Sequence, residues 1–482
     1  NKVLKPRTER YFMRRNQKAE ATPPRRKLRR ETLQWLKDGQ HELLECVKVR
    51  GGNTGELMEL IANRINISNA YLRVRRNHGS HGTDGRSIDE TIDDMKRRRE
   101  EILETLLQGK YKAMPVRGVE IPKPNGGIRQ LGIPTVQDRI IQQAVHQILS
   151  PLFEPQFSDS SYGFRPGRSA HDAVEKMRNL YNQGYCYVVD IDLSKYFDTI
   201  NHDLLLEMLR RTIKDERVIQ LIKSFLKSGM MKDGVVVETE AGSPQGGNLS
   251  PLLSNIYLTP FDKELEARGH KFARYADDVN IYVKSKRAAI RVMQSCTRFL
   301  ERKLKLRVNR EKSQAGSPIG IKFLGYTLQE CSQTLGVAQL NVHPKPIERF
   351  KSKIRAITRR GDSIKEVIKQ LNQALTGWVN YYRKASMTPL LKSLDGWIRR
   401  RIRMLQWRYW KKPKTRYKEL IKLGVGCKRA YADAHSSKGA WASARSWSMH
   451  HAMTNTYIGS LGYKTLVSIY ERFNPPAVNS VL

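Results

Sequence analysis

Two stretches of this chain put carboxylates where an ordinary fold would avoid them. The first reads Arg274-Tyr275-Ala276-Asp277-Asp278-Val279-Asn280-Ile281-Tyr282-Val283. An apolar run enters, two acids sit together at its tip, and a run rich in β-formers leaves, which is the outline of a hairpin. Like charges repel at that spacing, so adjacent Asp residues at a strand tip are unfavourable unless a cation neutralises them. The second stretch, residues 185–200, reads YCYVVDIDLSKYFDTI and again ends an apolar run in acids, at Asp190, Asp192 and Asp198. Strand geometry puts Asp190 and Asp192 on one face, so alternation by itself does not choose between them. A lone Asp-Asp pair reads as an ordinary turn, but the Tyr-Ala before Asp277 and the strand after Asp278 favour a functional one. Two acid-tipped strands brought side by side could gather three carboxylates. Such a cluster suits two Mg2+ ions that clamp an attacking 3′-oxygen and a leaving pyrophosphate.

Further motifs give the chain a family likeness. Asp192-Leu-Ser-Lys-Tyr-Phe197-Asp198 resembles the first catalytic motif of reverse transcriptases, an Asp followed five residues later by an aromatic. The resemblance implies Asp192, Asp277 and Asp278 as catalytic metal ligands for two Mg2+ (Mn2+ as a substitute), and Asp190 as a neighbouring acid. It also implies that Phe197 lies beneath the incoming sugar and crowds a 2′-hydroxyl; without it, Phe197 reads as core. Ser243-Pro-Gln245-Gly246-Gly247-Asn-Leu-Ser-Pro is similar to the loop that supports the template base and incoming nucleotide. Ile121-Pro-Lys123-Pro-Asn-Gly-Gly-Ile-Arg129 resembles the fingers hairpin, implying that Lys123 and Arg129 hold triphosphate oxygens. Lys312 stands where the family has a lysine near the pyrophosphate, and Phe323-Leu-Gly-Tyr326 matches the turn that grips the primer.

Within reverse transcriptases, the proteins encoded by bacterial group II introns are the nearest in pattern. Ser161-Tyr-Gly-Phe-Arg165-Pro-Gly-Arg168-Ser is one of their signatures and implies nucleic-acid contacts for Arg165 and Arg168. Leu371-Asn-Gln-Ala-Leu-Thr-Gly-Trp378-Val-Asn-Tyr381-Tyr382 resembles their maturase (thumb) domain, and residues 70–85 resemble their extension of the fingers. From Trp397 to Arg416 there are nine Lys and Arg and no acid, interleaved with Trp397, Trp407, Tyr409 and Trp410. Arg399, Arg400 and Arg403 are expected to grip phosphates there, while the aromatics stack on bases or brace the helix.

The elements that must hold these residues follow from pattern and composition. The chain has 482 residues, enough for two or three domains. Residues 1–53 read as a basic extension of unknown role, and 54–335 as α+β fingers and palm. Residues 336–411 read as a helical thumb and 412–482 as a helical DNA-binding region; together these make a right-hand polymerase. After His343-Pro344 the pattern turns helical, over 347–359, 363–383 and 387–409. A formal charge of +40 makes a polyanion the natural partner. The five cysteines are scattered without a CxxC pair and read as buried small hydrophobes in a reducing cytoplasm. No run of 18 apolar residues occurs, so no membrane partner is expected, and the start at Asn1 reads as trimmed or tag-derived.

The resemblance then implies an RNA-directed DNA polymerase of a group II intron, assisting splicing and mobility by target-primed reverse transcription. Its expected partners are intron RNA, an RNA template–DNA primer duplex, target DNA and dNTPs, in a nucleoid-associated bacterial cytoplasm. A catalytically silent splicing factor and a domesticated enzyme of DNA repair or phage defence are the alternatives. The last seventy residues hold only His435, His450, His451 and Cys427 as soft ligands, so no His-Asn-His endonuclease is expected, as in the smaller class C-like intron proteins.

Overall fold

The computed structural model describes residues 30–49, 54–122, 127–232, 235–237, 242, 246–330, 337–359, 361 and 363–475. Of the expected basic extension 1–53, residues 1–29 and 50–53 lie outside them, and Arg30–Val49 is a helix. The chain divides into two compact units, Asn1–Pro155 with His202–Ser250, and Gln156–Asn201 with Pro251–Leu482.

The first unit is built round the helix Val136–Phe153, which buries Ile140, Ile141, Ala144, Val145, Ile148 and Leu149. The helices Leu57–Ala62 and Arg64–Arg76 pack against it. Asn66 is buried at that junction, donating to the Ile61 and Ala144 carbonyls and accepting from Gln147 at 2.7 Å. A four-stranded sheet completes the unit, in the order Ile128–Ile133, Val116–Pro122, Met230–Lys232, Val235–Val237. Ile121 faces Arg129 across its first, antiparallel pair.

The second unit carries the acid-tipped strands. Its sheet runs Lys271–Tyr275, Asp278–Val283, Tyr187–Ile191, Gln314–Gly316, with every neighbouring pair antiparallel. Val, Ile and Tyr fill its strands, and the helices Ala170–Asn182 and Lys286–Arg302 pack on it. One core then continues from Met177 and Leu180 through Tyr326, Phe350 and Leu375 to Ile398, Trp407, Leu420 and Leu466.

The helices after His343 are Pro344–Ile357, Ile364–Tyr382 and Thr388–Tyr409, each within a turn of its expected span. The first starts on Pro344, whose fixed φ suits a first turn, with His343 Nδ1 accepting from Lys345 N at 3.2 Å. Ser363 caps the second through Glu366 N. The tail, whose weak periodicity gave no fold, is a set of short helices stitched to the third. Asp395 is buried in that helix and accepts from Tyr463 OH, Leu466 N and Val467 N. One expectation fails: Cys296 is buried, but Cys186 and Cys427 are exposed. Among the described residues no helix is long and apolar enough to cross a membrane.

Candidate active site

The hairpin seen in the sequence is tight. Tyr275 pairs with Asp278, leaving Ala276 and Asp277 as a two-residue turn. Ala276 has φ +59°, a left-handed conformation that costs a non-glycine residue free energy and persists only where its surroundings enforce it. Ile191 pairs with Val279 on the next strand, so Asp192 leaves the sheet beside Asp278. Asp192, Asp277 and Asp278 therefore lie at the same end of the sheet.

The surroundings of Asp192 are equally fixed. Its backbone N donates to Ser313 Oγ at 3.0 Å and its carbonyl accepts from Asn309 N at 2.8 Å. That pins the following segment so that Lys312 Nζ lies 3.9 Å from Asp192 Oδ2. Phe197 is half-buried, edge-on to Tyr196 at 5.2 Å, while the buried Tyr196 donates its hydroxyl to the Ser254 carbonyl. Asp190 lies one pleat back, opposite Asn280, and accepts amide hydrogen bonds from Asn280 and Gln314 at 3.2 and 3.4 Å.

Electrostatics set these acids apart. Burial pushes the Asp278 carboxyl up to about 7; Asp190, Asp277 and Asp192 add to the shift, and Lys322 opposes it. Burial also raises Asp190, against its two amide donors. A cation at this end of the sheet would reverse the repulsive contribution, and carboxylate oxygens are the donors that Mg2+ prefers. As they stand, no three Asp, Glu, His or Cys side chains among the described residues are gathered tightly enough to hold a metal ion.

A cleft of about 570 Å3 opens from Asp278 past Lys322, Lys345, Arg349 and Lys353 to Trp378 and Tyr381. Its floor is the turn Phe323–Tyr326, where Leu324 and Gly325 take φ +51° and +84°, the signs of a type I′ turn. Tyr381 OH donates to the Leu324 carbonyl at 2.8 Å, and a Cβ on Gly325 would meet Tyr382 OH at 2.6 Å. Trp378 stacks on Phe350 at 4.6 Å, so the Trp378–Tyr382 motif packs this turn against the helical region.

Comparison with known proteins supplies the family. Residues 121–328 match the model "Reverse transcriptase (RNA-dependent DNA polymerase)" and residues 347–424 match "Group II intron, maturase-specific domain". Protein YkfC of Escherichia coli (strain K12) is 37% identical over 262 residues, 46% of this chain and 69% of its own. The chain belongs to the group II intron-encoded reverse transcriptase/maturase family. Group II intron-encoded protein LtrA of Lactococcus lactis subsp. cremoris is 40% identical over 207 residues, 42% of this chain but only 34% of LtrA. Among solved structures, a "Partial Cas6-RT-Cas1--Cas2 complex" aligns with 51% of this chain and 43% of its own, at 27% identity and a TM-score of 0.34, too low to bear on architecture.

Other expected site residues of this intron-encoded reverse transcriptase/maturase fall differently. Lys123 and Gln245 lie outside the described residues, and only the backbone of Arg129 is described, in the strand Ile128–Ile133. Gly246 takes φ +131°, and a Cβ there would meet the Gly132 carbonyl oxygen at 2.7 Å, so that loop hugs the neighbouring backbone. Arg165 is buried, with Nη1 donating to the Ser158 and Ser161 carbonyls, which removes it from any nucleic-acid surface. Arg168 is tied to Asp159 at 2.6 Å. Arg403 is also buried, its Nε donating to the Met453 carbonyl, so of Arg399, Arg400 and Arg403 only the first two remain partly exposed. Trp407 and Trp410 are core, which makes them braces rather than base-stacking rings.

The sequence reading missed the support beneath the Asp277–Asp278 turn. Arg274, fully buried, pairs with the equally buried Asp262, with Nη2 to Oδ2 at 2.5 Å and Nε to Oδ1 at 2.8 Å. Its Nη1 donates to the Ala276 carbonyl at 2.9 Å and to Asn255 Oδ1 at 3.0 Å. Asn255 in turn donates to the Gly163 carbonyl at 2.8 Å. A Cβ on Gly163 would meet Ala276 N at 2.4 Å, so this glycine lets two backbones touch. The signal was an Arg in the apolar strand FARY and an Asp directly after the mostly apolar run NIYLTPF.

A prediction follows from that contact. Gly163→Ala will push the turn away and cut primer-extension activity by roughly a hundredfold, the scale of a misplaced catalytic group. Gly396→Ala, which has nothing within 4 Å, will not. Circular dichroism melts with steady-state extension rates check both. Equal activity of the two variants would remove Gly163 from any positioning role.

Proposed function

We propose that this protein is an RNA-directed DNA polymerase that copies RNA into DNA, and that it also assists splicing and mobility of a group II intron. The observation that carries the reading is the Asp277–Asp278 turn held beside Asp192 at one end of an antiparallel sheet. Asp192, Asp277 and Asp278 would hold two Mg2+ ions, which when bound neutralise charge on the reacting phosphate and align the 3′-oxygen with the leaving pyrophosphate. Mn2+ would serve in their place. Lys312, already beside Asp192, offers a proton or a positive charge to the leaving group. Lys123 and Arg129 are assigned to the triphosphate, and Gln245 and Gly246 to the template base and incoming nucleotide. The cleft with Lys322, Lys345, Arg349 and Lys353 suits the phosphates of a primer strand. In this reading the chain is a right-hand polymerase whose helices after His343 form the thumb, followed by a DNA-binding region. Arg168, Arg399 and Arg400 remain the proposed contacts to intron RNA.

Sugar selection tests the nucleotide site. With Phe197 under the sugar, Phe197→Ala removes the wall that rejects a 2′-hydroxyl. Steady-state incorporation of dGTP against GTP on a primed RNA template should show at least a tenfold loss of discrimination, the worth of one well-packed steric contact. Unchanged selectivity in a folded variant would return Phe197 to a packing role.

A further inference from the structure

The tail helices Cys427–Ala434 and Trp447–Ala452 carry aromatic stacks that no step above uses. On one side, Trp447 is 53% exposed although it is a tryptophan. Its ring lies flat against His451, with centroids 4.7 Å apart and planes at 9°. His451 is itself fixed by Nε2 against the Gly424 carbonyl at 3.2 Å, so the indole is presented rather than loose. The exposed Arg429 guanidinium lies over the same ring, 5.7 Å from its centroid, at the outer limit of a cation–π contact. A cavity of about 470 Å3 is lined by Gly426, Cys427, Lys428, Arg429 and Trp447. Two residues further along, Tyr431 is 61% exposed, with its ring 4.2 Å from His435 and 6.2 Å from Tyr417. Positions 429 and 431 diverge round a helix, so the two stacks flank it.

Cavity, exposed ring and cations together select a ligand. A protein partner would favour an apolar interface centre depleted of Lys. Here Lys428 and Arg429 share the cavity wall with the indole, and residues 411–475 hold twelve Lys and Arg against three acids. Flat aromatic faces beside phosphate-binding cations are the means by which proteins hold unpaired nucleotides, since every base has a π-face and a duplex covers it. Trp441 shows the contrast: Arg400 sits on its ring at 3.7 Å and donates to its carbonyl, which uses that aromatic internally.

We propose that Trp447, backed by His451 and flanked by Lys428 and Arg429, binds unpaired nucleotides, the base on the indole and the phosphates on the two cations, with Tyr431 as a second base platform. The proposal deepens the nucleic-acid role given above and rests on it only for the class of ligand. It does not depend on polymerisation.

The test uses the full chain, loaded with an RNA template–DNA primer so that the polymerase cleft is filled. Fluorescence anisotropy then follows labelled single-stranded DNA, single-stranded RNA and duplex DNA of one sequence. Trp447→Ala should weaken single-strand binding about tenfold or more, the size of one lost base stack, while duplex binding and primer extension hold. Trp447→Phe should restore most of the affinity. The DNA and RNA arms tell which strand is the natural occupant. Equal single-strand affinity before and after Trp447→Ala, or an equal loss on duplex, overturns the proposal. If Trp447→Ala also loses primer extension, the exposed positions decide: Arg429→Gln or Tyr431→Ala must lower single-strand affinity selectively, and failure of both overturns it. Single-strand binding without any primer extension by the wild type would instead remove the polymerase reading and leave this one standing.

Discussion

Asp277→Ala and Asp192→Ala will each reduce extension of a primed RNA template by about a thousandfold or more, to background. On the proposed assignment, either change deletes a charged oxygen ligand from the place where transition-state charge builds up. Affinity for RNA will stay within about twofold of the wild type, because it rests on a surplus of cations elsewhere. Asp190→Ala will be milder, a loss of about tenfold, since its carboxylate is already occupied by Asn280 and Gln314. Single-turnover extension at saturating template–primer separates these outcomes from binding defects. Near-normal synthesis by the Asp277 or Asp192 variant would remove the metal assignment. A complete loss in the Asp190 variant, with Asp192→Ala active, would mean that the other acid of the pair is the ligand.

Arg274→Ala will be the most destabilising single change in the second unit. It strands the carboxylate of Asp262, which has no solvent exposure, and takes the Arg274 donor from the Ala276 carbonyl and from Asn255 Oδ1. Breaking a buried ion pair from one side costs about 3–5 kcal/mol, a fall in melting temperature of roughly 10 °C for a unit of this size. Removing both charges is gentler. Arg274→Met with Asp262→Leu should recover much of the melting temperature, since an apolar pair of similar volume often substitutes for a buried ion pair. It should not recover activity, because nothing then donates to the Ala276 carbonyl and the strained turn relaxes. Scanning calorimetry beside primer extension reads the two effects separately. Full recovery of both would reduce Arg274 to a packing residue.

The residue types and spacing around Asp192, Asp277 and Asp278 were readable in the linear chain because both are local. A strand ending in acids is a short-range pattern, and so are the caps and periodicity that located the helices Pro344–Ile357, Ile364–Tyr382 and Thr388–Tyr409. Charge was equally plain, since +40 is a sum that needs no coordinates. What the sequence could not decide was which of these groups a distant segment would cover. Arg399, Arg400 and Arg403 read as one basic face, yet Arg403 is sealed by a carbonyl fifty residues away, at Met453. Trp407 and Trp410 read as rings that either stack on bases or brace the helix, and burial makes them braces, while Trp447 stays in solvent. Asp190 and Asp192 share a strand face, so alternation could not separate them; the motif resemblance favoured Asp192, and the sheet register gives the two different neighbours, Asn280 and Gln314 for one and Lys312 for the other. The Arg274–Asp262 pair shows the same limit: burying two opposite charges is tolerable only when each finds the other, and that meeting belongs to the tertiary structure.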